Sequence, residues 1–347
     1  MPSLFVALRT HKLRVFVTGA AGFIGYHLSR RLLAGGHSVA GYDGMTSYYD
    51  VTLKEARLAK LREHRGFTFT SAMLEDRAAL AQALRTCEPE VVIHLAAQAG
   101  VRYALEAPDT YVQSNLAGTL NLLELLKAVP PRHLLFASSS SVYGGSRGEP
   151  SKETDSTDFP VSLYAATKKA GEVMCHSYAH LAGIPTTALR LFTVYGPWGR
   201  PDMALFKFVS AILEGRPLEI YGDGSMRRDF TYVDDLIDAL VALIPLAPGT
   251  PMQSASDTLS PVAPYRVVNL AGGHPVGLME YVAAVEAATG RKAEKAFLPM
   301  QPGDVVETYG STQLLLDLVG RVPRTRVNEG VKRFVEWYCD YCGVRGG

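Results

Sequence analysis

The fold of this chain is decided by residues 14–25, RVFVTGAAGFIG. The run at 14–18 is typical of a buried strand, and apolar residues at helical spacing follow the glycines. A glycine-rich turn that leads into a helix lets the backbone approach a pyrophosphate, which the free N–H groups and the helix dipole stabilise. Gly19, Gly22 and Gly25 are spaced G-x-x-G-x-x-G, whereas the common dinucleotide fingerprint is G-x-G-x-x-G. The stretch predicts a dinucleotide site, although such a turn alone can be a plain strand-helix connection.

A carboxylate at the end of the second predicted strand indicates which dinucleotide is bound. That strand covers 38–43 and ends at Asp43. An acid at this place accepts hydrogen bonds from the adenosine ribose 2′-OH and repels a 2′-phosphate. The pattern therefore favours NAD over NADP, with a simple turn-forming role for Asp43 as the alternative.

A tyrosine and a lysine at helical spacing form the candidate catalytic pair. Tyr164 and Lys168 lie one helical turn apart, and four serines stand upstream at 138–141. Positions i and i+4 share one face of a helix, so the phenol and the ammonium can act at the same point. A phenol titrates near pH ~10, but a neighbouring cation lowers that pKa, and a serine hydroxyl can hold the reacting oxygen. Spacing alone also fits an ordinary amphipathic helix, and it is the dinucleotide signals that favour catalysis.

Composition excludes several classes of partner. The 347 residues carry 35 Lys and Arg against 34 Asp and Glu, so no field would collect nucleic acid or an anionic membrane. No apolar run reaches the roughly 18 residues of a membrane helix, and residues 1–12 are expected to be a loose tail rather than a signal peptide. These features predict a cytoplasmic protein.

The four cysteines predict neither a disulfide framework nor a metal site. Cys339 and Cys342 form a C-x-x-C pair near the C-terminus, but zinc needs four ligands and no second pair exists. We expect free thiols and no bound metal.

The alternation of strand-like and helical runs predicts the fold class. Strands are expected at 14–18, 38–43, 67–70, 91–95, 133–138 and 186–192. Helical stretches between them argue for an α/β fold, a doubly wound parallel sheet with helices on both faces. After Thr193 the pattern loosens and prolines punctuate it.

From about Leu13 to Tyr338 the chain resembles the extended short-chain dehydrogenase/reductase family. The further marks of that family are HLAA at 94–97, NLAG at 115–118, FASSSSVYG at 136–144 and RDFTYVDD at 228–235. The resemblance implies a Rossmann-like NAD-binding domain followed by a smaller C-terminal sugar-nucleotide lobe. The expected boundaries are 13–192 for the NAD-binding domain, to which 229–242 and 265–270 return, and 193–228 with 271–340 for the UDP-sugar lobe.

Three segments narrow the resemblance to the UDP-glucuronate 4-epimerases of that family: DVTLKEARL at 50–58, QAGVRY at 98–103 and GPWGRPDMA at 196–204. This implies reversible, NAD-dependent conversion of UDP-glucuronate to UDP-galacturonate through a 4-keto intermediate. A neutral-sugar 4-epimerase and a UDP-glucuronate decarboxylase are the enzyme alternatives, and a non-catalytic dinucleotide-sensing protein is the third. The 4,6-dehydratases are disfavoured, because Ser140 and Ser141 stand where those enzymes carry an Asp-Glu pair.

The resemblance also assigns roles to residues. Tyr164 is the base, Lys168 lowers its pKa and binds the nicotinamide ribose, and Ser139 bonds the reacting oxygen, whereas Ser138 is a structural strand-end residue. The residues expected to contact NAD besides Tyr164 and Lys168 are Gly19, Gly22, Phe23, Ile24, Gly25, Asp43, Leu74, Leu95, Ala96, Ala97 and Asn115.

On the substrate side, three hydroxyls are expected to hold a uronate carboxylate: Ser140, Ser141 and Thr193. Hydroxyls that merely satisfy local backbone groups are the alternative. The remaining expected contacts are Arg102 and Arg200 as cleft cations, Arg228 on the diphosphate, and Asp304 on the uridine ribose.

Two further expectations come from the resemblance. Met73 stands where family members carry an Asp that bonds the adenine amine, and a thioether can pack on adenine but accepts that bond poorly. The helices near Asn115 and Tyr164 are expected to pack in a twofold homodimer through apolar faces that include Leu122, Leu126 and Met174.

Overall fold

The structure is a computed structural model that describes residues 12–145, 149–249, 256–301 and 305–344. Its strands are β1 Arg14–Thr18, β2 Ser38–Asp43, β3 Phe67–Ser71, β4 Val91–His94, β5 His133–Ser139, β6 Thr186–Leu191, β7 Thr193–Tyr195, β8 Leu218–Tyr221, β9 Arg227–Tyr232, β10 Tyr265–Leu270, β11 Pro275–Gly277 and β12 Lys295–Leu298.

The α-helices are α1 Phe23–Ala34, α2 Val51–Arg62, α3 Arg77–Cys87, α4 Tyr103–Glu106, α5 Pro108–Tyr111, α6 Gly118–Leu126, α7 Leu163–Ala182, α8 Ala204–Glu214, α9 Val233–Leu243, α10 Leu278–Thr289, α11 Gln313–Val319 and α12 Val327–Cys342. A π-helical turn, Val112–Ala117, precedes α6, and a 3-10 turn, Ser140–Tyr143, follows β5.

Seven strands form one parallel sheet in the order β3-β2-β1-β4-β5-β6-β10. The order reverses between β1 and β4, because the chain first builds outward to β3 and then crosses back to β4. In such sheets the crevice outside the carboxyl ends of the strands at the reversal is where ligands bind. The predicted doubly wound α/β fold is confirmed.

Alternate side chains of the central strands enter two separate cores. Val15 and Val17 belong to one cluster of buried residues, while Phe16 between them belongs to another. The neighbouring strand divides in the same way, since Ile93 joins the first cluster and Val92 the second. Both faces of these strands are buried, so helices must cover the sheet on both sides. This explains why the strands are continuous apolar runs in the sequence.

A smaller lobe follows the parallel sheet. It contains a three-stranded sheet, β11-β9-β7, and a two-stranded sheet, β12-β8. Helices α8, α10 and α12 pack around an aromatic-rich core that includes Phe208, Tyr281 and Phe334. The chain returns to the large sheet between these pieces, because β10 pairs in parallel with β6.

The helix that follows Asn115 differs from the expected dimer face. Asn115 lies inside the π-helical turn rather than opening a helix, since helical turns begin upstream at Tyr103. Leu122 and Leu126 are fully buried in the core of their own chain and present no face to a partner. Their spacing is helical, but the face they mark is the one turned toward the sheet.

Candidate active site

A cleft of about 440 Å³ opens at the carboxyl ends of the parallel strands, beside the β1/β4 reversal. One wall comes from the glycine-rich turn after β1 and the segment after β4. The other wall comes from the serines at the end of β5, the start of α7 and the segment from Leu191 to Met203. The cleft thus brings together five segments that are far apart in the sequence.

The glycine-rich turn is packed so closely that side chains would block it. Gly19 has a φ of +73°, and a Cβ there would lie 2.8 Å from the backbone nitrogen of Ala96. A Cβ on Gly25 would lie 2.0 Å from the carbonyl oxygen of Gly19. Thr18 holds the segment after β4 beside this turn, since its Oγ1 accepts hydrogen bonds of 3.1 Å from the backbone N–H groups of Leu95 and Ala96. The result is a bare backbone cradle that suits a pyrophosphate at the start of α1.

Asp43 faces this cradle from the end of β2. Its Oδ2 accepts from the backbone N–H of Ala21 at 3.1 Å, and its Oδ1 accepts from that of Met45 at 2.8 Å. The carboxylate lines the cleft although its residue is only 8% exposed. Asp43 is therefore tied to the glycine-rich turn and placed where a ribose hydroxyl could reach it.

The Tyr164–Lys168 pair lies on one face of α7, as the spacing predicts. Ser162 caps this helix by accepting from the backbone N–H of Ala165 at 3.1 Å, so Tyr164 sits in the first turn and Lys168 one turn further. Lys168 donates to the carbonyl oxygen of Ala137 at 2.7 Å, which holds α7 against β5. Both side chains line the cleft.

Burial favours the neutral form of both side chains of this pair. It raises the pKa of the Tyr164 phenol, and a hydrogen bond with Ser139 and the charge of Arg200 pull that pKa back. The same burial lowers the pKa of Lys168 to about 8. Ionisation of the Tyr164 phenol in this site therefore depends on the hydrogen bonds and positive charges around it.

The register of β5 and β6 separates the roles of the serines. Ser138 donates to a carboxylate oxygen of Glu172 at 2.6 Å, and Glu172 is held by Arg190 through two bonds of 2.9 Å. Ser139, one residue on, turns to the cleft and accepts from the backbone N–H of Ser141 at 3.2 Å. Ser138 is accordingly a buried structural group, and Ser139 is the hydroxyl beside Tyr164.

Ser140, Ser141 and Thr193 all line the cleft. Strand pairing explains why, because Ser139 is opposite Leu191 in the β5/β6 register and Thr193 follows two residues later. The turn after β5 and the start of β7 thereby both reach the cleft. That these hydroxyls hold a carboxylate remains a prediction.

Arg200 enters the cleft as part of a charged cluster. Its Nε donates to Oδ1 of Asp202 at 2.9 Å, and Tyr48 donates to Oδ2 of the same carboxylate at 3.1 Å. The Asp202 charge is a main reason why the pKa of Arg200 is raised despite its burial. Arg200 is therefore a cation held in a fixed position in the cleft wall.

Three predicted residues do not line this cleft. Asn115 is buried behind it, where its Nδ2 donates to the carbonyl oxygen of Gln98 at 3.0 Å. The Arg102 guanidinium lies 4.6 Å from the centre of the Tyr221 ring. Arg228 donates to the carbonyl oxygen of Val306 at 3.0 Å. Asp304 lies outside the described residues.

Sequence reasoning missed several residues of the cleft wall. They are Thr46, Tyr48, Tyr49, Lys54, Gln98 and Met203. All lie in or beside the three segments that carry the narrow resemblance, so the signal was present. Nothing in their spacing shows that they face the site, because the loop between β2 and α2 is placed by tertiary contacts.

Searches for other kinds of site give little within the described ranges. No group of three or more His, Cys, Asp or Glu side chains there could hold a metal ion. None of the helices described is long and apolar enough to span a membrane. All four cysteines are free thiols.

The parallel sheet, the glycine cradle and the Ser139–Tyr164–Lys168 group define a nucleotide-binding enzyme of the extended short-chain dehydrogenase/reductase class. The chain belongs to the NAD dependent epimerase/dehydratase family, whose model matches residues 15–251.

Relatives within this family match nearly all of this chain and most of their own length. A probable UDP-glucuronate 4-epimerase of Rhizobium meliloti (strain 1021) is 58% identical over 94% of this chain and 97% of its own. UDP-glucuronate 4-epimerase 1 of Arabidopsis thaliana is 44% identical over 96% of this chain and 79% of its own. Among solved structures, the UDP-glucuronic acid 4-epimerase from Bacillus cereus, in complex with UDP-glucuronic acid and NAD, is 33% identical with a TM-score of 0.83, covering 94% of this chain and 99% of its own.

Proposed function

We propose that this chain is an NAD-dependent UDP-glucuronate 4-epimerase that reversibly forms UDP-galacturonate. The observation that carries the proposal is a single cleft lined by Tyr164, by the hydroxyl-bearing residues Ser140, Ser141 and Thr193, and by Arg200. The Rhizobium meliloti relative at 58% identity carries the same activity in its name. The Bacillus cereus structure, whose title names UDP-glucuronic acid and NAD, has the same fold.

The residues of the cradle fit NAD. The turn from Gly19 to Gly25 would hold the pyrophosphate, since a Cβ at either end would fill the space beside the backbone. Asp43 would accept from the adenosine ribose, and Lys168 would hold the nicotinamide ribose. When bound, NAD supplies an acceptor and donor of hydride for the sugar carbon C4.

The chain's own residues manage the proton. Tyr164 takes the proton of the C4 hydroxyl as the carbon is oxidised. It returns the proton after the 4-keto sugar has rotated to present its other face. Ser139 and Arg200 oppose the effect of burial on the pKa of Tyr164. Lys168, one helical turn away, would add a positive charge that favours the phenolate. Ser139, which hydrogen-bonds Tyr164, holds the sugar oxygen in place.

The hydroxyls of Ser140, Ser141 and Thr193 would also protect the intermediate, because a 4-keto uronate is a β-keto acid and tends to lose carbon dioxide. Decarboxylation requires the breaking bond to align with the carbonyl π system. Hydrogen bonds from Ser140, Ser141 and Thr193 to the carboxylate would hold that bond out of alignment. Arg200 would add an opposite charge on the same side of the sugar.

The leading alternative is a neutral-sugar 4-epimerase. A UDP-glucose 4-epimerase from Thermotoga maritima, solved with UDP-glucose, shares the fold with a TM-score of 0.81 at 26% identity. A neutral sugar has no use for three hydroxyl donors and an arginine around C5, so the cleft favours the uronate.

The two lobes would divide the ligands between them. The unit of 13–192, with 229–242 and 265–270, would hold NAD, and 193–228 with 271–340 would hold the UDP-sugar. Arg228 and Asp304 remain our candidates for the diphosphate and the uridine ribose, and Arg102 for the mouth of the cleft.

We also propose a homodimer and a cytoplasmic location. The outer surfaces of α6 and α7 expose Leu120 and Val173, which are 43% and 54% accessible. Met174, which follows Val173, is partly buried. Apolar groups on two neighbouring helices suit a twofold helix-helix interface. Free thiols at all four cysteines suit a reducing compartment.

The proposal is tested by incubating the purified protein with UDP-glucuronate and resolving products by chromatography and NMR. UDP-galacturonate is expected to accumulate to a fixed ratio with UDP-glucuronate from either side. A UDP-pentose as the main product would instead identify a decarboxylase.

A further inference from the structure

Arg57 is a buried cation that the mechanism above does not use. It lies on α2, away from the cleft lining, and none of its surface is accessible to solvent. The ion pairs of the described residues include none to Arg57, and its Nε has no hydrogen-bond partner. Burying an unpaired charge is costly, so such a residue is expected to serve a purpose that an apolar side chain could not.

The guanidinium of Arg57 joins two loops that belong to different walls of the cleft. Nη1 donates to the carbonyl oxygen of Ala21 in the glycine-rich turn at 3.0 Å, and to the Tyr49 hydroxyl at 2.8 Å. Nη2 donates to the carbonyl oxygens of Trp198 at 2.6 Å and Gly199 at 3.3 Å. One planar fork therefore fixes both loops in a single relative position.

Each joined loop leads directly to a ligand-facing group. The Ala21 peptide is held from both sides, since its N–H donates to Asp43 and its carbonyl accepts from Arg57. On the other side, Gly199 is followed by Arg200, the cation at the sugar end of the cleft. A continuous set of bonds thus runs from the acid of the NAD cradle to the cation of the substrate site.

The second loop needs such support because its backbone is strained. Trp198 has a φ of +61°, a left-handed conformation that costs energy for a bulky residue. His27 of α1 also contacts this loop, with its Nε2 2.8 Å from the carbonyl oxygen of Pro197. His27 and Arg57 thus contact three successive carbonyl oxygens of this loop.

We propose that Arg57 is a positioning residue that locks the NAD cradle and the Arg200 loop together, so that both ligands depend on a side chain that touches neither. This inference rests on the proposed function for the identity of the ligands. It predicts that loss of Arg57 weakens NAD and UDP-glucuronate together, although it lies behind the wall of the cleft.

The test compares Arg57→Met and Arg57→Lys with the wild-type protein by calorimetric titration with NAD and, separately, with UDP-glucuronate. Titrations are made well below the melting temperature of each variant, so that a general loss of stability does not alter the affinities. Arg62→Met is the matched control, because Arg62 lies on the same helix and is exposed. Arg57→Lys keeps the charge but cannot span both loops, and it serves if Arg57→Met fails to fold.

We expect each Arg57 variant to lose roughly tenfold or more in affinity for both ligands, since buried carbonyl oxygens on both loops lose their donors. The Arg62→Met control should retain both affinities. Unchanged affinities with a lower melting temperature would reduce Arg57 to a structural role, and weakening of only one ligand would refute the lock between the walls. Failure of the wild-type protein to bind UDP-glucuronate would count against the proposed function, and not against Arg57.

Discussion

Tyr164 must give up a proton in a place where burial favours its neutral form. The structure places Ser139 and Arg200 among the groups that oppose this effect, and Lys168 lies one helical turn away with its own pKa lowered to about 8. Proton transfer by a single positioned side chain commonly contributes ~10²–10⁴-fold to a rate. As the proposed base, Tyr164 is expected to supply a contribution of this size.

Tyr164→Phe should lower kcat by about 10²–10⁴-fold, because only the proton acceptor is removed. Affinity for NAD and UDP-glucuronate should remain near that of the wild-type protein, as the ring still fills its place beside Tyr111. Single-turnover rates and calorimetry measure the two effects separately. Near-normal turnover would mean that another group accepts the proton.

Thr193→Val should loosen the carboxylate and change what the enzyme releases. Epimerisation is expected to slow while a decarboxylated 4-keto pentose and NADH accumulate, since one donor to the carboxylate is lost. Thr193→Ser keeps the hydroxyl and should restore the product ratio measured by NMR and absorbance. An unaltered ratio in Thr193→Val would remove Thr193 from the carboxylate site.

The glycine cradle and the Tyr164–Lys168 pair could be predicted from local patterns, because glycine spacing and the Tyr-x-x-x-Lys pair report on backbone geometry within a few residues. Arg102 and Asn115 could not be placed this way. Their directions are set by contacts distant in sequence, with Tyr221 and with Gln98. The same holds for Arg57, whose partners come from both lobes.

At the level of elements, the parallel sheet was predictable and its edges were less so. Buried strands read as short apolar runs, which is why β1 and β2 have the expected bounds. The π-helical turn at Val112–Ala117 has no comparable signal. Its hydrogen bonding differs from that of an α-helix, but its apolar spacing is nearly the same.

Three buried histidines, on α1, β4 and β5, make the free energy of unfolding depend on pH. Burial lowers the pKa of His27 and His94 to about 3 and that of His133 to about 4, all from an ordinary value of 6.5. Below pH 6.5 the unfolded chain takes up protons that the folded chain cannot, so stability falls as the pH drops toward about 4. At pH 5 each histidine should cost about 2 kcal/mol relative to pH 7.

Urea unfolding of the wild-type protein at pH 5 and pH 7 measures this loss. His133→Gln keeps hydrogen-bonding groups but cannot be protonated, so its loss between the two pH values should be smaller by about 2 kcal/mol. His180→Gln, on the exposed side of α7, is the control and should leave the difference unchanged. An equal pH dependence in His133→Gln and the wild-type protein would contradict the assignment.

For the whole molecule, the exposed surfaces of α6 and α7 predict a dimer. Light scattering at micromolar concentration should give a mass near twice 37.6 kDa. Val173→Lys places a charge on this surface and should shift the protein toward the monomer. Phe297→Ser, at an exposed position of β12 in the smaller lobe, should leave the mass unchanged. A wild-type monomer at every concentration would refute the dimer.

The whole molecule is proposed to oxidise and re-reduce C4 of a UDP-uronate in one cleft between its two lobes, without loss of the carboxylate. The most direct measurement uses UDP-glucuronate that carries deuterium at C4, with the product followed by NMR in ordinary water. The account predicts UDP-galacturonate that retains both the C4 deuterium and the C6 carboxylate. Replacement of the deuterium by solvent hydrogen, or a product without the carboxylate, would contradict it.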